Sequence, residues 1–293
     1  MDQQIINLYD RFTHGFMNRR EFLDRLGEFA GSAAAAAALL PLLQNDPAKA
    51  AAVAPDDLRL LPDFVTYPAP DGTKITGYLA RAKNKTKRPA VIVIHENRGL
   101  VDHIKDVTRR LAVEGFLALG VDMLSPYGGT PADEDKARDM FADKVKPEEA
   151  APRIAAAVGY LQQHPESTGN VGAIGFCWGG GMVNRLAVLN PALKAGVAYY
   201  GVQVPADQVP AIQAPLLLHY AGNDERVDAG IPAYEAALKA NGKRYTIYVY
   251  DGTQHAFNND TSAARYNKAA ADLAWGRTLA FLKDNLGAPP RLG

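Results

Sequence analysis

The chain has 293 residues, of which 47% are apolar and 22% are charged. Its 32 Lys and Arg residues balance 32 Asp and Glu residues, and a neutral chain without a basic block is a poor binder of nucleic acid. The single cysteine excludes an intrachain disulfide and a multi-cysteine zinc or iron–sulfur site. The composition also excludes a disordered chain and indicates one large folded domain or two small ones. The longest apolar run, Phe29 to Leu43, is shorter than the ~20 residues that a membrane-spanning helix needs.

The first 58 residues differ in composition from the rest of the chain. The paired Arg19 and Arg20 precede an alanine-rich stretch from Ala33 to Leu40 and further small residues at 50–54. This order resembles a twin-arginine export signal, which would make the protein periplasmic. The alternative is a helical extension that packs on the following domain of a cytoplasmic protein. The sequence leaves both interpretations open.

From residue 59 to residue 293 the pattern predicts one domain of alternating strands and helices, opening with a hairpin that turns at Asp71-Gly72. The predicted strands are Phe64–Pro68, Thr73–Arg81, Ala90–His95, Phe116–Val121, Asn170–Phe176, Ala195–Tyr200, Pro215–Ala221 and Arg244–Tyr250. The predicted helices are Val101–Glu114, Pro131–Val145, Glu148–His164, Trp178–Leu189, Ile231–Ala240 and Ser262–Leu286. This alternation predicts an α/β fold, with a mostly parallel central sheet and helices on both faces.

The segment from Gly172 to Gly181 carries the clearest chemical signal. An apolar strand runs into a turn with Cys177 at its centre and Gly175 and Gly179 at its flanks, and an apolar helix follows. Flanking glycines allow a sharp strand-to-helix turn that exposes the central side chain as a nucleophile. The start of the helix favours a thiolate, and the Trp178 amide is expected to donate to an oxyanion. The alternative is a buried structural cysteine in a glycine-rich turn.

Two further residues follow in the order that this kind of turn requires, which is nucleophile, acid and histidine. Asp224 comes just after the strand that ends near Ala221, and His255 lies on the loop after the last predicted strand. The carboxyl ends of parallel strands meet at one edge of a sheet, so distance along the chain does not keep these residues apart. The sequence therefore predicts a Cys177, Asp224 and His255 triad.

A polar segment also follows the buried strand that ends at His95. The backbone amide of Asn97 is expected to be the second oxyanion donor, as loops at this position commonly are. The carboxyl group of Glu96 could accept a hydrogen bond from the cysteine thiol. The alternative for Glu96 is an ordinary solvated loop residue.

Five segments together carry a resemblance to a known family: His95–Leu100, Gly175–Gly180, Tyr199–Gly201, Gly222–Asp224 and His255–Phe257. Over roughly residues 62–286 the chain resembles the dienelactone hydrolases, also called carboxymethylenebutenolidases, which have the α/β-hydrolase fold. The resemblance implies that Cys177, Asp224 and His255 are the catalytic triad and that Glu96 contacts the resting thiol. Family members open the lactone ring of dienelactone.

The substrate end of the family pattern is altered in this sequence. The best-characterised members hold a substrate carboxylate with two arginines, and one of these falls where this chain has Asn258 and Asn259. The other falls near Arg138, and Arg98 is a further candidate cation beside the predicted oxyanion loop. Arg98, Arg138 and Asn259 are therefore the candidate substrate-binding residues. We expect neutral lactones or esters to be accepted at least as well as acidic ones.

The sequence thus predicts a hydrolase of lactones or small activated esters that works through a thioester acyl-enzyme. No G-x-G-x-x-G motif follows a strand, and the histidines at 95, 103, 164 and 219 lack metal-ligand spacing, so neither a cofactor nor a metal is expected. The expected partner is a small-molecule substrate, in a monomer or a small homo-oligomer. Two alternatives stay open: a thioesterase or acyltransferase on the same fold, and a non-enzymatic redox or ligand-binding protein built around Cys177.

Overall fold

Apolar, β-branched segments form one central sheet in the computed structural model, which describes residues 1–46, 49 and 52–290. The strands are β1 Leu60–Pro68, β2 Lys74–Ala82, β3 Arg88–Ile94, β4 Leu117–Val121, β5 Ser167–Phe176, β6 Ala195–Tyr199, β7 Leu216–Asn223 and β8 Tyr245–Gln254. Their order across the sheet is β1-β2-β4-β3-β5-β6-β7-β8. Strands β3 to β8 run parallel, whereas β1 and β2 form an antiparallel hairpin whose second strand is antiparallel to β4. The predicted mostly parallel sheet is therefore confirmed.

Helices cover both faces of this sheet. They are α1 Gln3–Thr13, α2 Arg19–Ala30, α3 Ala33–Leu43, α4 Asp102–Val113, α5 Glu134–Lys144, α6 Pro147–Gln163, α7 Trp178–Leu189, α8 Glu225–Asp228, α9 Ile231–Ala240 and α10 Lys268–Leu286. Apolar side chains of α6, α7 and α9 share one core with the sheet, and those of α4 and α10 share the core on the opposite face. Strands β3 and β4 are buried at every residue because both of their faces are covered.

The last helix begins later than the sequence pattern suggests. The prediction that it starts at Ser262 was wrong for residues 262–267, because α10 begins at Lys268. The Asn267 side chain accepts a hydrogen bond from the Ala270 amide at 3.1 Å and so caps the helix. In the preceding turn the Ser262 carbonyl oxygen accepts a hydrogen bond from the Arg265 amide at 3.0 Å. The backbone of this segment therefore forms a separate turn and not the start of α10.

The N-terminal helices α1 to α3 have an apolar core of their own. The rings of Phe12 and Phe22 stack at 4.5 Å between centroids, and Tyr9 lies against Phe22 at 5.9 Å. The aromatic and aliphatic side chains of this core are almost entirely buried: Ile5, Leu8, Tyr9, Phe12, Met17, Phe22, Leu26, Ala36 and Leu43. Arg19, of the predicted export motif, is the first residue of α2 and forms an ion pair with Asp135 at 3.2 Å.

Within the described residues, no single helix combines the length and the apolar character that crossing a membrane requires. Helices α2 and α3 reach that length and composition only as a pair, and the pair is bent by 110°. Ala50 and Ala51, which belong to the predicted stretch of small residues, lie outside the described residues.

The packing of α7 against β3 gives a stability prediction. A Cβ atom at Gly179 would lie 2.3 Å from the Ile94 carbonyl oxygen and 2.5 Å from that of His95. The Gly179→Ala substitution therefore requires the start of α7 to move away from the end of β3. We expect urea denaturation to show a loss of roughly 1–3 kcal/mol or more in the free energy of unfolding. Gly159→Ala in α6 is the matched control, because nothing lies within 4 Å of its Cβ position. That control should gain up to about 1 kcal/mol from helix propensity, and equal stability of the two variants would contradict the packing argument.

Candidate active site

The turn between β5 and α7 raises Cys177 above the edge of the sheet. Cys177 has φ 55° and ψ −114°, a conformation that residues with a side chain rarely adopt. The turn is tight enough that a Cβ atom at Gly175 would lie 2.1 Å from the Gly179 carbonyl oxygen. Its geometry is stabilised by a hydrogen bond from the Cys177 amide to the Tyr199 carbonyl oxygen at 3.0 Å. This is the sharp strand-to-helix turn that the glycine spacing predicted.

The predicted acid and histidine come together beside this turn. Asp224 follows β7 and His255 follows β8, and His255 Nδ1 lies 2.5 Å from Asp224 Oδ2. Both side chains are buried. A ring nitrogen of His255 lies within 4.8 Å of Cys177 Sγ, and His255 Nε2 has no hydrogen-bond partner among the described residues. Tyr200 and Ala256, like Cys177, have positive φ angles. A strained backbone of this kind persists only where tertiary contacts hold it in place.

A second histidine, which the sequence analysis did not identify, contacts the thiol directly. His14 caps the C-terminus of α1, and its Nε2 lies 3.3 Å from Cys177 Sγ. Its Nδ1 lies 2.7 Å from the Asp10 carbonyl oxygen and 3.2 Å from Asp10 Oδ1. The rings of His14 and His255 meet edge to face at 5.0 Å. Two imidazoles, each paired with an aspartate, therefore face one sulfur.

An arginine that the sequence analysis also missed lies beside this pair. Arg226 in α8 places Nη2 3.1 Å from His14 Nε2 and Nε 3.7 Å from Asp10 Oδ2. Arg226 can donate to His14 Nε2 only while that nitrogen carries no proton. When His14 is protonated, the Asp10 carboxylate lies against both cations and offsets their repulsion.

The charges at the site favour a thiolate. Burial alone would raise the pKa of Cys177, but the positive charges of His14 and His255 outweigh burial and lower that pKa to about 6. Burial opposes protonation of His14 as well, yet the thiolate charge and the Asp10 hydrogen bond raise the His14 pKa to about 9. The pKa of His255 is raised well above its usual value against the same effect of burial, chiefly by Asp224 and then by Cys177. An imidazolium–thiolate arrangement at neutral pH follows.

Glu96 is buried near the thiol but has a different partner from the one expected. Its Oε2 accepts a hydrogen bond from Asn259 Nδ2 at 3.1 Å, and no hydrogen bond joins it to Cys177 among the described residues. Glu96 lines a small cavity together with Cys177, His14 and His255. His14 lies within hydrogen-bond distance of the thiol, and contact of Glu96 with the resting thiol stays a prediction.

The candidate substrate residues have structural partners. Arg98 donates to the Tyr9 hydroxyl at 3.2 Å and lies 3.8 Å from a carboxylate oxygen of Glu134. Arg138 pairs with Asp135 at 2.8 Å and with Asp139 at 2.7 Å. Its guanidinium also lies over the Phe12 ring at 4.5 Å. Asn259 is fully buried, and its carbonyl oxygen accepts from the Thr261 hydroxyl at 2.6 Å. Arg98 and Arg138 hold the N-terminal helices, and Asn259 orients Glu96.

The predicted oxyanion residues, Trp178 and Asn97, line the same cavity as Cys177. Trp178 is the first residue of α7, and its ring stacks on that of His95 at 5.5 Å. Asn97 follows β3, and its side-chain Nδ2 donates to the Thr13 carbonyl oxygen at 2.6 Å. Asn97 therefore connects the loop after β3 to the end of α1.

A cavity of about 520 Å³ opens above the thiol. Its lining is mainly apolar and includes Phe12 and Met17 from the N-terminal helices and Phe141 and Trp178 from the rest of the chain. Three arginines reach its wall, namely Arg19, Arg138 and Arg226. Each of the three lies within 4 Å of a carboxylate oxygen. The N-terminal helices therefore supply part of the wall of the cavity that Cys177 lines.

His14, Cys177 and His255 are also the one group among the described residues whose ligand atoms are close enough to hold a metal ion, all within 4.8 Å of one another. Imidazole nitrogen and thiolate sulfur suit a soft or borderline ion such as zinc. This group is not visible in the sequence pattern, because His14 is far along the chain from Cys177 and His255 and has no metal-ligand spacing to them.

Two known families match separate parts of the chain. The dienelactone hydrolase family matches residues 75–286, and a family described as YqhI-like matches residues 1–31. The first match contains every predicted triad residue, and the second contains His14. The two parts that meet at Cys177 thus resemble different families.

Individual relatives support the larger match. A Saccharolobus solfataricus protein provisionally named carboxymethylenebutenolidase is 32% identical over 73% of this chain and 95% of its own length. A Bradyrhizobium protein provisionally named 2-oxo-3-(5-oxofuran-2-ylidene)propanoate lactonase is 31% identical over 74% of this chain and 92% of its own length. The crystal structure of a Klebsiella pneumoniae protein, provisionally named dienelactone hydrolase, superposes with a TM-score of 0.68 at 29% identity. That match covers 76% of this chain and 98% of the other.

The thiol itself gives a direct pH prediction. With a Cys177 pKa of about 6, the thiolate fraction should rise through half at about pH 6 and reach about nine-tenths at pH 7. Absorbance at 240 nm reports the thiolate, and alkylation by iodoacetamide is specific to this site because the chain has one cysteine. A Cys177→Ala variant supplies the baseline. A midpoint above pH 8 would contradict the electrostatic account of the site.

Proposed function

The chain belongs to the dienelactone hydrolase family and is a carboxylic ester hydrolase, and we propose that it opens lactones or small activated esters with Cys177 as the nucleophile. The observation that carries this proposal is the position of Cys177. It lies on a strained turn at the base of a 520 Å³ cavity, beside an Asp224–His255 pair. A nucleophile, an acid and a histidine in this chain order, with the histidine hydrogen-bonded to the acid beside the nucleophile, are the geometry of acyl transfer.

The first half of the proposed reaction forms an acyl-enzyme. The Cys177 thiolate attacks the carbonyl carbon of the lactone, and the C–O bond to the ring oxygen breaks as the tetrahedral intermediate collapses. The His255 imidazolium gives its Nε2 proton to the departing alkoxide, while Asp224 holds the ring through Nδ1 at 2.5 Å. The opened chain remains attached to Sγ as a thioester.

The second half restores the enzyme. His255, now neutral, removes a proton from a water molecule, and the resulting hydroxide attacks the thioester carbonyl. The C–S bond breaks, the product leaves as a hydroxy acid, and Cys177 returns as the thiolate. Thioesters of activated or strained substrates form readily, so strained lactones are better candidates than plain triglycerides.

Oxyanion stabilisation is assigned to the backbone amides of Trp178 and Asn97. Trp178 begins α7, where the first amides of a helix have no intrahelical acceptor. Asn97 follows β3, and its loop is held by the hydrogen bond to Thr13. Fixed donors of this kind are worth about 3–4 kcal/mol of transition-state stabilisation in comparable hydrolases.

Unpartnered polar atoms at the site support substrate contacts there. Glu96 Oε1, the Tyr200 hydroxyl and His255 Nε2 are buried and have no hydrogen-bond partner among the described residues. Buried polar atoms without partners are costly, so those that cluster at one site call for a functional explanation. Tyr200 lines the large cavity and its ring lies 5.0 Å from that of His255. We assign its hydroxyl to the substrate.

Removal of the nucleophile tests the proposal. Cys177→Ala should lose at least ~1000-fold in kcat/KM on p-nitrophenyl esters and small lactones, because the covalent route is lost. It should still adopt the wild-type fold, as circular dichroism will show, since only one sulfur atom is removed.

Mass spectrometry of quenched wild-type reactions should show one acyl adduct on Cys177. Full activity of Cys177→Ala would refute the triad. Stable sulfenylation by mild peroxide, without any acyl adduct, would instead support the redox alternative.

The balance of charge on the cavity wall predicts a preference for neutral substrates. Every arginine on the wall already has a carboxylate partner, so a carboxylate on the substrate should gain little. An available cation would be worth about 1.5–3 kcal/mol, which is roughly ten- to a hundredfold in specificity. We expect kcat/KM for a neutral lactone to equal or exceed that of its matched carboxylate analogue. A tenfold preference for the acidic lactone that is lost in Arg138→Gln or Arg98→Gln would contradict this expectation.

A further inference from the structure

The N-terminal helices bring chemistry to the nucleophile that the dienelactone hydrolase match does not contain. That match begins at residue 75, whereas Asp10 and His14 lie in the segment matched by the YqhI-like family. Even so, His14 Nε2 is 3.3 Å from Cys177 Sγ, across 163 positions of the chain. This is a hydrogen-bond distance, and His255 faces the same sulfur.

We propose that His14 is a further catalytic residue, which takes the proton of the resting Cys177 thiol and holds the thiolate until substrate arrives. This inference rests on the proposed function, because it explains how Cys177, the nucleophile of that function, becomes a thiolate. Asp10 is the positioning residue of the pair.

The orientation of the His14 ring determines which of its nitrogens accepts the proton from Cys177 Sγ. Nδ1 lies 2.7 Å from the Asp10 carbonyl oxygen, an acceptor only, so Nδ1 carries a proton in both charge states. Nε2 is then the titrating atom. The thiol proton passes from Sγ to Nε2, the S–H bond breaks as the N–H bond forms, and the product is an imidazolium–thiolate pair.

His14 and His255 then have different roles in the reaction. While His14 holds the thiolate, His255 Nε2 remains without a partner and is available to the leaving alkoxide and later to water. When Sγ bonds to the carbonyl carbon, the His14 proton stays on Nε2. That proton meets the sulfur again when deacylation releases the thiolate.

Four groups from four parts of the fold set the charge of His14. The Cys177 thiolate and Asp10 favour its protonated form, and the adjacent Arg226 and His255 oppose it when they are charged. Asp10 lies 3.2 Å from His14 and 3.7 Å from Arg226, so one carboxylate compensates both cations. Loss of Asp10 should therefore weaken the pair in the same direction as loss of His14, but by less.

Docking of α1 is what holds His14 at this place. The Thr13 carbonyl oxygen, one residue before His14, accepts from Asn97 Nδ2 at 2.6 Å. One turn earlier, the Tyr9 ring lies under the Arg265 guanidinium at 5.3 Å, and its hydroxyl accepts from Arg98 at 3.2 Å. The end of α1 is thus attached at Tyr9 and at Thr13, just before His14.

The test measures the thiol without requiring turnover. Thiolate absorbance at 240 nm is followed from pH 4 to pH 10 in the presence of a chelator, with the wild type, His14→Gln, Asp10→Asn and the control His164→Gln. His164 lies beyond α6 and its ring faces Tyr160, away from the site. The midpoint is measured, rather than one alkylation rate, because a thiolate of higher pKa is intrinsically more nucleophilic and partly masks its lower abundance.

We expect His14→Gln to move the midpoint upward by at least one pH unit, Asp10→Asn to move it less in the same direction, and His164→Gln to leave it unchanged. The kcat/KM of His14→Gln on a neutral activated ester should fall by about fivefold at pH 6, in proportion to the lost thiolate, and recover as the pH is raised. A structural role alone would lower activity at every pH. Should His14→Gln fail to fold, Asp10→Asn decides by the same two readouts.

The outcomes separate this inference from the proposed function. An unmoved midpoint in His14→Gln and Asp10→Asn, with Cys177→Ala inactive, overturns the role of His14 and leaves the triad standing. Full activity in Cys177→Ala overturns both, whatever the midpoint does. A stoichiometric metal ion that is retained through chelation and lost in His14→Gln would also overturn the inference, because the sulfur would then be a ligand.

Discussion

The electrostatics of this site centre on one buried sulfur, whose negatively charged form the neighbouring groups favour. Cys177 is almost fully buried, and burial alone favours the neutral thiol. The chain reverses that preference by bringing positive charge to the sulfur from two directions, through His14 and His255. Each imidazole needs its own carboxylate to stay protonated in a buried place, which explains why Asp10 and Asp224 are both present. The strained turn keeps the sulfur where both rings reach it.

The arginines of the larger domain serve this arrangement indirectly. Arg98, Arg138 and Arg265 contact Tyr9 or Phe12, and so attach the N-terminal core to the edge of the sheet where the active-site loops lie. Cation–π contacts of this kind contribute about 0.5–2 kcal/mol each, depending on how far they are desolvated. The cations that a lactone carboxylate would need are thus used to hold the protein together. An arginine that attaches the N-terminal helices is not also free to bind a carboxylate on the substrate.

The parts of the molecule that follow from local pattern were predictable. Short buried apolar runs identify β3 and β4, and the glycines around Cys177 identify the turn, because steric limits on the backbone act within a few residues. The positions of Asp224 and His255 were also predictable, because the carboxyl ends of the strands in a parallel sheet meet at one edge. The position of His14 was not, because nothing near α1 in the sequence records which distant surface the helix docks on. The partners of Arg98 and Arg138 were hidden for the same reason.

The docking of α1 has a consequence for how the protein is made. The surfaces that receive this helix include Asn97, Arg226 and Arg265, and the last of these lies close to the end of the chain. Synthesis proceeds from the N-terminus, so these helices must wait for partners that are made later. During that interval their apolar core can assemble by itself, because its contacts are local, whereas closure onto the sheet spans more than two hundred residues. The nascent enzyme therefore acquires its complete set of charges around the sulfur only in the final step of assembly.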